Sequence, residues 1–137
     1  MKRAGIFGLN ANEKRRLEIL NIKNPKYLGG VERIQSITLK QLKTLVEEEF
    51  IDLDESQNYS PTVEEFLSFM ETYPKIRAHG YIVSPEREDY RISIEGLQGT
   101  YDKNYLNDVD MLIDFVDLCM GADDLQITNG KLYSWWD

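Results

Sequence analysis

Residues 125–136, Leu-Gln-Ile-Thr-Asn-Gly-Lys-Leu-Tyr-Ser-Trp-Trp, contain the local pattern that decides the fold. Asn129-Gly130 lies between two runs of strand-forming residues. A two-residue type I′ turn needs a positive φ at both central positions, and Asn followed by Gly accepts this at the lowest cost. The segment therefore predicts a β-hairpin at the end of the chain.

The register of this hairpin sorts its aromatic side chains onto two faces. Ile127 is expected to lie opposite Leu132, so that Leu132 and Trp136 share one face while Tyr133 and Trp135 project from the other. Tyr and Trp that point outward are typical anchors of protein interfaces. They also stack on unpaired bases, but that use requires nearby cations. The predicted protein-binding residues are Tyr81, Tyr133 and Trp135.

Two more strands and a helix precede the hairpin. Residues 75–83 and 89–97 are rich in strand-forming residues. Tyr90, Ile92 and Ile94 alternate with polar residues, which is typical of a strand with one solvent-exposed face. Residues 104–120 have the period of a helix. Together with the hairpin these segments predict a β-β-α-β-β unit with an antiparallel four-stranded sheet.

The first half of the chain is expected to be mostly helical. A helix is predicted over 12–22, a second begins after the capping box of Thr38 and Gln41, and a third begins at Ser60-Pro61-Thr62 and ends before Pro74. The segment 31–37 is too short to assign. The predicted fold class is α+β: N-terminal helices (1–74) followed by a β-β-α-β-β part (75–137) whose sheet packs on helices, in a single domain, 1–137.

Composition excludes several classes of protein. The 137 residues are 42% hydrophobic, contain one Cys and carry a formal charge of −8, and no window approaches 18–20 apolar residues. This argues against a membrane span, a disulfide framework and a disordered chain. The polar interruptions that follow Met1-Lys2-Arg3 do not fit a secretory signal. A cytoplasmic location and no membrane contact are therefore expected.

The net charge conceals an asymmetry along the chain. Residues 1–46 contain ten Lys or Arg and three Glu, a charge of +7, whereas residues 47–137 contain six and twenty-one, a charge of −15. One interpretation is that the two blocks neutralise each other within the fold. The other is that one block is an interaction segment.

Three function classes follow from these patterns. The favoured hypothesis is a small acidic, non-enzymatic interaction or regulatory protein that binds another protein; a stronger form is an inhibitor that mimics nucleic acid. The alternative is a DNA-binding regulator that uses the basic helices within residues 1–46. A metal-dependent or thiol enzyme is the least favoured class. No catalytic residue, metal ligand or cofactor is assigned.

The C-terminal helix carries two apolar arcs and a polar wedge. The helix is expected to be covered on two sides, one by the sheet and the other by the N-terminal helical layer, and the alternative is that a partner covers this second side. The wedge is interpreted as a solvated face, with a cation site as the alternative. The lone His79 and Cys119 are expected to be structural. The larger arc comprises Leu106, Val109, Leu112, Ile113, Val116 and Met120, the smaller arc Met111, Phe115 and Leu118, and the wedge Asn107, Asp110, Asp114 and Asp117.

Overall fold

Four α-helices and five β-strands make up residues 9–137, the part of the chain that this computed structural model describes. The helices are α1 (Glu13–Leu20), α2 (Leu39–Glu47), α3 (Val63–Thr72) and α4 (Leu106–Cys119), with a 3₁₀ turn at Leu28–Gly30. The strands are β1 (Val31–Ile37), β2 (Arg77–Val83), β3 (Ile92–Thr100), β4 (Asp124–Thr128) and β5 (Lys131–Trp135). The basic start Met1-Lys2-Arg3, on which the location was predicted, lies outside the described residues.

The five strands form one antiparallel sheet in the order β1-β2-β3-β5-β4. The α+β prediction is confirmed, but the sheet has five strands and not four. The additional strand is β1, where Val31 lies opposite Val83 of β2. The segment was too short to be assigned by itself, and it becomes a strand because β2 offers it a free edge. Residues 1–74, predicted mostly helical, therefore contribute a strand to the sheet.

Local capping signals place the helix starts. Thr38 and Gln41 form the predicted capping box at the start of α2. A second capping box, between Thr62 and Glu65, begins α3. Thr62 is therefore the N-cap, and Pro61 precedes it. The helix ends at Thr72, before Pro74 as expected.

The terminal hairpin has the predicted geometry. Asn129 and Gly130 have φ values of 53° and 79°, as a type I′ turn requires. Ile127 lies opposite Leu132 and Gln126 lies opposite Tyr133, so the predicted register is also confirmed.

The hydrophobic core lies between the sheet and the helices. It includes Leu42 and Leu45 from α2, and on the C-terminal side Phe66 of α3 meets Trp136 edge-on at 5.8 Å. Phe69 of α3 packs against Phe115 of α4. Within the described residues, no helix has the length and apolar character that crossing a bilayer requires.

The packing of α4 differs from the prediction. The helix buries Met111, Phe115 and Cys119, while Leu106 and Ile113 in the larger apolar arc are 78% and 58% exposed. The expectation that other parts of the fold cover both arcs is wrong. The reason is that α3 meets α4 on the side of Asp114. Tyr73, directly after α3, donates a hydrogen bond to the Asp114 carboxylate at 2.5 Å. The larger arc therefore turns away from α3.

Candidate functional site: two surfaces on opposite faces of the sheet

The three predicted interface residues lie on one face of the sheet, opposite the helices. Tyr81 is on β2, and Tyr133 and Trp135 are on β5. Each is half-buried. We call these residues, with His79, the aromatic face. The predicted common face of Tyr133 and Trp135 is confirmed, and the structure adds Tyr81 and His79 to it; the role of these residues in binding stays a prediction.

Tyr133 is engaged within the aromatic face. Its ring stacks on the imidazole of His79, with the ring centroids 5.0 Å apart and 6° between the planes. The Nε2 of His79 lies 2.8 Å from the carbonyl oxygen of Ser134, to which it donates a hydrogen bond. His79 is 5% exposed, and this burial lowers its pKa. Both rings are thus held by contacts inside the protein.

Two arginines contact Tyr81. The negative charge of residues 47–137 gave no reason to expect cationic side chains at this position. Its hydroxyl accepts a hydrogen bond from Arg91 at 2.9 Å, and the guanidinium groups of Arg91 and Arg33 lie 5.6 and 5.9 Å from its ring. These cations are themselves paired, Arg91 with Asp89 and Arg33 with the buried Glu95. The charges on this face are largely satisfied internally.

A cleft of about 510 Å³ adjoins Tyr81 at the edge of this face. It is lined by Glu55 and Gln57 from the loop before α3, and by Arg91 and Ser93 from around the start of β3. Burial raises the pKa of Glu55 to about 7. Arg91 donates to Ser93, Asp89 and Tyr81, so each of its three guanidinium nitrogens already makes a hydrogen bond within the protein. The cleft has the size of a ligand site, but among the described residues its only cationic side chain, Arg91, is engaged in these contacts.

The second surface lies on the helix side of the sheet. Four apolar residues of α4, and Met120 directly after it, are at least one-third exposed, and Leu125 and Ile127 of β4 are each 37% exposed. Both β4 residues lie on the sheet face that α4 covers, because Ile127 is directly opposite the buried Leu132. We call the whole set the α4–β4 surface: Leu106, Val109, Ile113, Val116, Met120, Leu125 and Ile127.

The chain that builds the α4–β4 surface is acidic throughout. Residues 106–128 contain six Asp and no Lys or Arg. Asp110 and Asp117 are exposed and, at 100° per residue, lie next to Leu106 and Ile113 on the helix. The apolar surface therefore has an acidic rim.

Asp108, one of these six aspartates, is buried and has a structural role. Its carboxylate accepts hydrogen bonds from Lys75 at 2.5 Å and from the backbone N–H of Asp102 at 2.8 Å. These contacts lower the pKa of Asp108. They fix the N-terminal end of α4 to the start of β2. The sequence analysis missed this residue, and its position in the first turn of α4 was the available signal.

One carboxylate of the polar wedge of α4 is engaged by a neighbouring side chain. Asp114 is bound by the hydroxyl of Tyr73, and this contact raises the pKa of Tyr73 to about 12. Among residues 9–137 no group of three or more His, Cys, Asp or Glu side chains is arranged to hold a metal ion.

His79 and Cys119 are separated by the sheet. His79 lies on the aromatic face, whereas Cys119 is completely buried in the core on the helix side. Burial raises the pKa of Cys119 to about 11. The two side chains do not form a nucleophile–base pair.

Several cations of the basic block 1–46 pair with the acidic block. Arg15 makes a bidentate contact with Glu48, and Lys43 lies 3.6 Å from Glu71. Arg16 is completely buried, pairs with Glu13 and donates to the carbonyl oxygen of Val83. The pairs of Arg15 and Lys43 join the two charge blocks, as mutual neutralisation predicts, whereas the pair of Arg16 and Glu13 lies within the basic block.

Comparison of the chain with protein-family models, with curated proteins and with solved structures finds no match. The function of the protein is therefore inferred from the geometry of the two surfaces.

Proposed function

We propose that this protein is a non-enzymatic, cytoplasmic binding module that recognises a basic segment of another protein through the α4–β4 surface. The observation that carries the proposal is the exposed apolar arc of α4, together with the partly exposed Leu125 and Ile127 of β4 on the same side of the sheet. Large apolar patches surrounded by polar residues mark protein interaction sites.

Charge determines the kind of partner. With six Asp and no Lys or Arg in residues 106–128, a partner with Lys or Arg around an apolar centre gains electrostatic complementarity, and an acidic partner is repelled. A nucleic acid is repelled for the same reason. The proposal keeps the predicted protein partner but moves the interface from Tyr81, Tyr133 and Trp135 to the opposite side of the sheet.

The test uses two 14-residue fluorescent peptides with equal numbers of Lys and Leu, one with alternating residues and one with helical spacing. At least one should bind saturably, measured by fluorescence anisotropy, and the binding should weaken as salt is raised. A Glu/Leu counterpart of each peptide should not bind. Failure of both basic peptides to bind contradicts the proposal.

The matched variants are Ile113→Asp and Leu28→Asp. Ile113 lies at the centre of the α4–β4 surface, and Leu28 is an exposed leucine, 80% accessible, in the 3₁₀ turn. Burying an isoleucine contributes roughly 1.5–3 kcal/mol, so Ile113→Asp should weaken binding at least tenfold. Leu28→Asp should leave it within twofold. Equal affinities of the two variants would contradict the proposed site.

A further inference from the structure

We propose, resting on the function proposed above, that the partner binds as an extended strand of alternating basic and apolar residues, which pairs with β4 and becomes the sixth strand of the sheet. The position of β4 is the first observation. It is the last strand in the order β1-β2-β3-β5-β4. In the described part of the chain, residues 125–128 make backbone hydrogen bonds to β5 alone. One side of β4 is therefore open.

The hairpin register identifies the backbone groups on this open side. Thr128 and Lys131 close the two-residue turn and bond to each other, and hydrogen-bonded and non-hydrogen-bonded pairs then alternate along an antiparallel ladder. Leu125 and Ile127 are in the non-hydrogen-bonded pairs with Ser134 and Leu132. Their N–H and C=O groups therefore point away from β5, ready to pair with another strand.

The two edges of the sheet differ in protection. At the other edge, the register of β1 against β2 shifts between Ile34 and Ile37, and the exposed Arg33 lies on that strand. Bulges and charges of this kind discourage the addition of strands. The β4 ladder runs without a shift, and the strand has neither Pro nor Lys. The sheet is open to strand addition at β4.

The surroundings of β4 specify the side chains of the incoming strand. On the helix side it would lie beside Leu125 and Ile127, both apolar and partly exposed. On the other face it would meet Asp124 and Gln126. Because side chains alternate along a strand, an alternating apolar and basic sequence satisfies both faces at once. A second copy of this chain would instead bring together two sets of the five Asp of residues 106–128 that are not buried.

The alternating and helical peptides described above discriminate strand addition from helix docking. The alternating peptide should bind at least tenfold more tightly. The variant pair is Leu125→Pro and Leu125→Ala: both remove the leucine side chain, but only Pro also removes the outward N–H, which β5 does not use. Leu125→Pro should bind the alternating peptide at least tenfold more weakly than Leu125→Ala.

Each other outcome has a defined meaning. Equal affinities for the two peptides, or equal affinities of the two Leu125 variants, would overturn strand addition but not the proposed function. If neither peptide binds, strand addition and the proposed function are both overturned. If Leu125→Pro does not fold, amide exchange in the wild-type protein decides, because the alternating peptide should slow exchange at Leu125 and Ile127, and unchanged rates overturn the inference. A dimer in sedimentation that Leu125→Asp dissociates would assign the edge to a second copy and overturn the peptide partner.

Discussion

The aromatic face and the α4–β4 surface lie on opposite sides of the same sheet, and they differ in how far their side chains are satisfied. On the aromatic face, Tyr133 stacks on His79 and Tyr81 is bound by Arg91. On the α4–β4 surface, Leu106 is 78% and Ile113 58% exposed. The side chains of the first surface are engaged by contacts within the fold, and the second leaves apolar area exposed to solvent.

This difference shows what residue type alone cannot decide. Tyr and Trp are enriched at interfaces, which is why the sequence pointed to Tyr81, Tyr133 and Trp135. Whether an aromatic ring is free depends on its neighbours across the strands, and these become known only with the register. The aliphatic arc of α4 was identified as apolar but assigned to the interior.

The substitution Gly96→Ala should have the largest effect, and it tests whether the aromatic face is structural. A Cβ at Gly96 would lie 1.9 Å from the carbonyl oxygen of Ser134 and 2.9 Å from Nε2 of His79. The backbone cannot move aside cheaply, so we expect a loss of about 3 kcal/mol or more in the free energy of unfolding, measured by urea denaturation.

The control for this variant is Gly121→Ala, since a Cβ at Gly121 meets nothing within 4 Å. Its free energy of unfolding should stay within about 0.5 kcal/mol of the wild-type value. If Gly96→Ala is equally harmless, the packing described for His79 and Tyr133 is wrong.

Truncation of Trp135 should separate stability from binding. Trp135 is half-buried on the aromatic face. Its replacement by Ala should lower the free energy of unfolding by about 2 kcal/mol, less than for a tryptophan in a core. Affinity for the basic peptides should change less than twofold. A large loss of affinity with no loss of stability would return the interface to the aromatic face.

The charge of Glu55 should make stability depend on pH. In the fold its pKa is raised by burial to about 7, from an ordinary value of 4.5. Between these values the folded state retains a proton that the unfolded state has released, so stability falls as pH rises from about 4.5 to 7. Glu55→Gln should remove this decline and stabilise the protein by about 1 kcal/mol at pH 8, because partial exposure reduces the full effect of the shift.

Thermal unfolding of Glu55→Gln and the wild type at pH 4 and pH 8 checks this prediction. The difference in melting temperature should be clear at pH 8 and small at pH 4. The same difference at both values would mean that Glu55 does not titrate in this range.

The smallest effect on stability is expected on the α4–β4 surface. Ile113→Ser should change the free energy of unfolding by less than about 0.5 kcal/mol, because the side chain is 58% exposed. Urea denaturation measures this directly. A loss of 2 kcal/mol or more would mean that this residue is part of the core.

The sequence could predict the features that depend on neighbouring residues along the chain, but not those that depend on contacts between distant segments. The type I′ turn at Asn129-Gly130 and the capping box at Thr38 depend on neighbours along the chain, and both were predicted. β1 was not, because a short mixed segment becomes a strand only when β2 lies beside it. The exposure of Ile113 was missed because helical periodicity identifies an apolar arc without saying which element covers it.

The central claim is that binding occurs on the α4–β4 surface, and NMR spectroscopy during titration with the alternating Lys/Leu peptide tests it most directly. The methyl signals of Ile113, Val116 and Ile127 report on that surface, and the indole N–H signal of Trp135 and the ring signals of Tyr81 report on the aromatic face. The account predicts saturable shifts of the three methyl groups and unchanged aromatic signals. Shifts at Trp135 and Tyr81 with unchanged methyl signals would contradict it.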